Sequence, residues 1–193
     1  MSQRAVALIV VDMQTGLDDP QYGERCNLDC EINVQRLLSA WRNAAQPVLY
    51  TQHISQRPNS PLAEGSAGIA IKQGLAPLGS ETVFRKVTNS ALKGAGLLQA
   101  LQDIDASALV IVGMATDACV TATAREARDL GYVTVVVGDA CATFSRPGPE
   151  GTVYSATMVQ GVSLAALAAS GIKVCSASQA IDDWCRYSGL NDA

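Results

Sequence analysis

Histidine occurs once in this 193-residue chain, at His53, and aromatic residues make up only 5% of it. A single histidine argues against a zinc site of familiar ligand spacing, and Cys26 and Cys30 stand too far apart for the usual Cys-x-x-Cys pair. Charge is also sparse: 17% of residues are charged, with 14 Lys+Arg against 18 Asp+Glu and a net charge of −4. The basic residues are scattered singly, so a nucleic-acid backbone has nothing to bind and no nucleic-acid partner is expected. Long hydrophobic runs are missing as well. The run Ala5 to Val11 stops at Asp12 without a small-residue cleavage site, and the tract around Leu164 is cut by Ser163, Ser170 and Gly171. These lengths predict a cytoplasmic protein with no membrane partner. Phosphate-binding glycine motifs are missing too. The first strand turn reads VDMQTG, and the KGAG near Gly94 follows no convincing strand, which disfavours a nucleotide-binding module.

What is present describes a well-supplied core. Hydrophobic residues make up 48% of the chain. A chain of this length buries about 70% of its unfolded surface as one domain, expected to span 1–193. Such a core needs no disulfide staples, so the six cysteines are expected to be free thiols. Apolar strand candidates AVALIVV, PVLYTQ, ALVIVG, VTVVVGDA and GIKVCSA alternate with helical patterns, including Glu31 to Ala44 and Gly151 to Ala169. Continuous Val/Ile/Leu runs mark strands covered on both faces. The expected fold is α/β: a three-layer α-β-α arrangement around a doubly wound, mainly parallel sheet, with its site at the carboxyl ends of the strands. The long irregular stretch from His53 to about Gly79 is either a wall on the substrate side or a plain surface excursion.

Three strand tips carry reactive groups. Asp12 follows the first apolar run, where a carboxylate serves either catalysis or the cap of the next helix. Lys86, in VFRKVTNSAL, is a solvated lysine unless it has a partner. Cys119 supplies one: ALVIVG ends a strand, MAT turns, and DACVTATAREARDLGY is helical, with Thr116 or Asp117 as N-cap and Gly131 as the stop. A thiol in the first helical turn faces unpaired N–H groups and the positive end of the helix dipole, which favour the thiolate. A nearby Asp12 carboxylate acts in the opposite sense, so the resting group is either thiol or thiolate. In a parallel sheet the three tips share one edge, so a nucleophile, a base and a cation can converge. Gln14 lies two residues past Asp12 and either braces the site or bonds the backbone. Cys141, at another strand tip, either lines the pocket or packs in the core.

From VDMQ through TQH, FRKVTNSA and GMATDACVTATAREARDLGY to DACATF, the chain resembles the isochorismatase-like superfamily of cysteine hydrolases, which includes nicotinamidases and N-carbamoylsarcosine amidases. The resemblance implies a hydrolase of a small amide or ureide acting through a thioester. Asp12 would be the general base, Cys119 the nucleophile and Lys86 the orienting cation. It also implies a cis peptide at Met114–Ala115, with the N–H groups of Ala115 and Cys119 as oxyanion hole. In nicotinamidases of the superfamily a metal is held by an aspartate and histidines in the segment that here reads YTQHISQRPNS. Gln52 takes the aspartate place and only His53 remains, so no metal and no other cofactor is expected. His53 either touches ligand or caps the strand, and Thr116 either secures the turn or caps the helix. True isochorismatases lack the cysteine, so Cys119 argues against their vinyl-ether chemistry. The resemblance and the apolar composition suggest a homodimer or homotetramer. The competing reading is a non-catalytic ligand-binding or assembly protein on the same fold.

Overall fold

Strand β1 (Ala5–Val11) is wholly apolar, and six of its seven residues are buried, because it lies at the centre of a sheet covered on both faces. The computed structural model describes residues 5–93 and 96–185. Its main sheet has six strands in the order β3-β2-β1-β4-β5-β8, where β2 is Val48–His53, β3 Val83–Lys86, β4 Ala106–Met114, β5 Val133–Ala142 and β8 Lys173–Cys175. Every pairing in it is parallel. The small antiparallel ribbon of β6 (Arg146–Pro147) and β7 (Val153–Tyr154) stands apart.

Alternate residues of β1 feed two cores. Val6, Leu8 and Val10 pack with Val34, Leu37, Leu38 and Trp41 of α1 (Cys30–Asn43) and with Ala177 and Ala180 of α5 (Ala177–Asp183). Ala7, Ile9 and Val11 pack with Leu97 and Leu101 of α2 (Leu97–Asp103), Ala124 and Ala127 of α3 (Thr121–Asp129) and Leu167 of α4 (Ala156–Ala169). The three layers are therefore helices, sheet and helices, as the sequence pattern predicts. The helix expected from Gly151 begins instead at Ala156, because residues 146–154 form the ribbon and Ser155 caps the helix through Met158 N. Cys141 is buried among the apolar side chains of the second core.

The chain runs outward through β1, β2 and β3 and then returns to pair β4 with β1. Loops leaving β1 and β4 diverge at this reversal, which is where open α/β sheets form their crevice. The two strands meet closely there. Gly113, at φ 122°, opposes Val11, and a Cβ on it would lie 2.0 Å from the Val11 carbonyl oxygen, so only glycine fits. No described helix is long and apolar enough to cross a membrane.

Candidate active site

Asp12 leaves β1 in a left-handed conformation, φ 50°, which is uncommon for a residue with a side chain. Its backbone N–H donates to Thr51 O at 3.2 Å, and its carboxylate is almost fully buried. Thr51 Oγ1 donates to Asp12 Oδ1 at 2.7 Å, and Lys86 Nζ donates to Asp12 Oδ2 at 2.6 Å. Lys86 ends β3, and its ammonium is fully enclosed. The carbonyls of Thr88 and Asn89 accept from Nζ at 3.1 and 3.2 Å, and Cys119 Sγ lies 3.3 Å away. The ammonium thus stands between carboxylate and thiol, with backbone oxygens fixing it from behind.

Cys119 lies in a wide turn, Thr116–Val120, that precedes α3, and Val120 N donates to Ala115 O across it at 3.2 Å. The peptide bond Met114–Ala115 is cis. The capping expected of Thr116 or Asp117 is not what holds this turn. Thr116 Oγ1 is buried without a hydrogen-bond partner among the described residues, and the Asp117 carboxylate turns away to Thr143 Oγ1 and Arg146. Gly131, at φ 90°, follows the end of α3 as expected.

The helix terminus does not decide the state of the thiol. Burial, and then the Asp12 carboxylate, push the Cys119 thiol up to about 12, and the nearby Lys86 cation offsets only part of this. Of the two resting states left open by the sequence, thiolate and thiol, these directions favour the thiol. Desolvation of a sulfur anion outweighs the few backbone dipoles at the turn.

A cleft of about 510 Å³ opens above these groups, and Asp12, His53, Ala115 and Cys119 lie on its floor. Tyr22 and Phe144, with ring centroids 5.4 Å apart, form an apolar wall. The irregular stretch after β2 supplies the facing wall, including Arg57 and Leu62. His53 is held neutral near pH 7, because burial and the Lys86 cation lower its pKa more than Asp12 raises it. Gln14 lies beneath the floor: its Nε2 donates to His53 O and Ile69 O at 3.1 and 3.2 Å, and its Oε1 accepts from His53 N at 2.8 Å. Gln14 therefore holds the backbone of β2 and the wall, and neither it nor Thr116 reaches the cleft.

Ligand atoms of Asp12, His53 and Cys119 lie within 4.8 Å of one another, a donor set of the type that could hold a metal. His53 Nδ1 is buried without a hydrogen-bond partner among the described residues, but the other two donors are already engaged. Both Asp12 oxygens already accept hydrogen bonds, and the Lys86 ammonium occupies the electrostatic role of a cation between Asp12 and Cys119. The Gln52 amide, in turn, is committed to Ile69 O at 2.8 Å.

Sequence reasoning missed Thr51, since a threonine inside PVLYTQ reads as core, and it missed the bidentate Arg146–Asp117 pair at 2.8 and 3.1 Å. An alternation count could have found Thr51. Two residues before His53, it shares that residue's face at the strand tip.

Known proteins share this architecture. The Isochorismatase domain model matches residues 6–179. The isochorismatase family protein YrdC of Bacillus subtilis is 34% identical over 178 residues, covering 92% of this chain and 95% of that protein. A crystal structure of an isochorismatase-family protein from Chromobacterium violaceum superposes with a TM-score of 0.88 at 35% identity, covering 94% of both chains. A cysteine hydrolase from Pseudomonas syringae pv. phaseolicola gives a TM-score of 0.85 at 25% identity, covering 94% of this chain and 93% of that one. By sequence across almost its whole length and by fold, the chain belongs to the isochorismatase family of hydrolases.

Proposed function

We propose that this chain hydrolyses the C–N bond of a small amide or ureide through a thioester on Cys119. One observation carries the reading: Lys86 Nζ, enclosed beneath a cleft sized for a small molecule, is 2.6 Å from Asp12 Oδ2 and 3.3 Å from Cys119 Sγ, both of which line that cleft. Asp12 takes the thiol proton as sulfur attacks the carbonyl carbon. The developing oxyanion is received by the N–H groups of Ala115 and Cys119. The C–N bond breaks, and the leaving nitrogen carries off the proton held by Asp12. Water then attacks the thioester, gives a proton to Asp12, and releases the acid as sulfur regains that proton. The sum is amide plus water to acid plus ammonia or amine.

Because the resting thiol is disfavoured as an anion, proton transfer and attack have to be concerted or closely coupled. The Lys86 cation then stabilises negative charge that is distributed between sulfur and carboxylate, and it does so without solvent reorganisation. The name of the Pseudomonas syringae relative, a cysteine hydrolase, supports the use of sulfur. The test is a screen of small amides and ureides for ammonia release beside Cys119→Ala. Turnover in the wild type and none in the variant supports the reading. Equal ammonia release by the variant overturns it, and a cleft that binds amides without turnover would favour the non-catalytic alternative.

A further inference from the structure

The charges around the cleft do not balance. Lys86 is paired with Asp12 at 2.6 Å. Arg146 is paired with Asp117 at 2.8 Å, and its guanidinium also lies over the Phe144 ring, 5.7 Å from the centroid. Arg57 differs: of the charged side chains lining the cleft, it has no ion pair or side-chain hydrogen bond among the described residues. With His53 neutral, and with the enclosed Lys86 paired to Asp12, Arg57 is the charged side chain of the cleft lining left without an ion partner among the described residues.

The backbone that carries Arg57 is pinned, while its side chain is left free to meet a ligand. Ser55 N donates to Leu62 O at 2.8 Å, closing the segment between them into a short loop. Inside it, Arg57 N donates to Ser55 Oγ at 3.2 Å and Ser60 N donates to Arg57 O at 3.4 Å. Pro58 restricts the backbone after Arg57, and Asn59 turns it at φ 59°. The guanidinium is presented from a stapled turn on the same cleft as the thiol.

We propose that Arg57 receives an anionic end of the substrate, so that the ligand is an amide or ureide carrying a carboxylate at its far end. This rests on the hydrolytic reading above. A guanidinium offers a planar fork of donors that matches a carboxylate in two parallel hydrogen bonds. Tyr22, Phe144 and Leu62 suit the uncharged middle of such a molecule, and the Cys119 end takes its carbonyl. A neutral diamide of the same shape would leave the Arg57 charge unanswered. Arg57 is exposed at the mouth, so solvent and salt screen the interaction, and its expected effect is about ten-fold in affinity rather than several powers of ten.

The test uses matched pairs: 4-carbamoylbenzoate against terephthalamide, and succinamate against succinamide. Calorimetric titration of the full chain carrying Cys119→Ala measures binding without turnover. The acid of at least one pair is expected to bind about ten-fold more tightly than its diamide. That preference should fall to near unity when Arg57→Gln is added, and it should shrink as salt is raised. Equal binding of acid and diamide, binding of neither, or an acid preference that survives Arg57→Gln overturns the proposal. Hydrolysis of the same pairs separates it from the catalytic reading. Arg57→Gln in the otherwise unaltered chain should raise KM for the acid and leave kcat in place. Ammonia release that survives Cys119→Ala, with the Arg57-dependent preference intact, would remove the nucleophile and keep the anion site.

Discussion

Thr51 Oγ1 donates a 2.7 Å hydrogen bond to Asp12 Oδ1, and both residues are buried. The carboxylate is thereby held from two sides, by a hydroxyl on one oxygen and an ammonium on the other. Thr51→Val keeps the shape and removes the donor. Loss of a buried hydrogen bond to a charged group costs about 1.5–3 kcal/mol, so urea unfolding should show a drop of that order. Turnover should fall by about ten-fold, with Thr51→Ser retaining most of it. Unchanged stability and rate in Thr51→Val would make the hydroxyl dispensable.

Lys86 and Asp12 form a buried pair, so removing one partner strands the other. Lys86→Met is expected to cost about 3–5 kcal/mol in unfolding free energy and to reduce turnover by orders of magnitude. The double variant Asp12→Asn/Lys86→Met contains neither charge and should be less destabilised than the sum of the two single changes. Additive losses in the unfolding curves would show that the two groups do not interact.

The state of the thiol sets a pH dependence. With the thiol pushed up to about 12 by burial and the Asp12 carboxylate, Cys119 is ionised far less at pH 7 than an ordinary cysteine. Iodoacetamide labelling of Cys119 should therefore be slow at neutral pH and keep rising beyond about pH 10, where a free thiol has levelled off. Stability moves in the opposite direction. From about pH 9 to 12 the folded chain keeps a proton that the unfolded chain has lost, so stability falls as pH rises through that window. A labelling plateau near pH 7, read by peptide mapping, would restore the thiolate.

Turnover should survive exhaustive chelation, because the Lys86 ammonium already answers the carboxylate and faces the sulfur. Loss of activity with a chelator and its return with zinc or iron would show that a metal displaces this arrangement.

The sheet and the convergence of its tips were legible because each reactive residue closes an apolar run. Asp12 follows AVALIVV, Lys86 ends a short strand, and Cys119 lies in the turn after β4. Periodicity reports burial, and burial on both faces leaves few sheet arrangements. Alternation with His53 puts Thr51 on the site's face of β2, but that its hydroxyl meets a carboxylate was not legible, since a buried threonine in a strand reads the same either way. The start of α4 was misplaced because turn residues between Gly148 and Gly151 serve a small ribbon as readily as a helix start. The thiol's protonation state was beyond sequence altogether. It depends on how completely tertiary packing excludes water and on a carboxylate that is more than a hundred positions away in the chain.

Asp12 opposes ionisation of Cys119 at rest and, in the proposed reaction, supplies the base for attack. Asp12→Asn separates the two effects, because it removes the negative charge that raises the thiol and also removes the proton acceptor. The decisive measurement is the rate of Cys119 alkylation at pH 8 in Asp12→Asn, taken with amide turnover on the same preparation. Alkylation should be faster than in the unaltered chain, with turnover reduced at least about 100-fold. Slower alkylation with turnover preserved would contradict this double role.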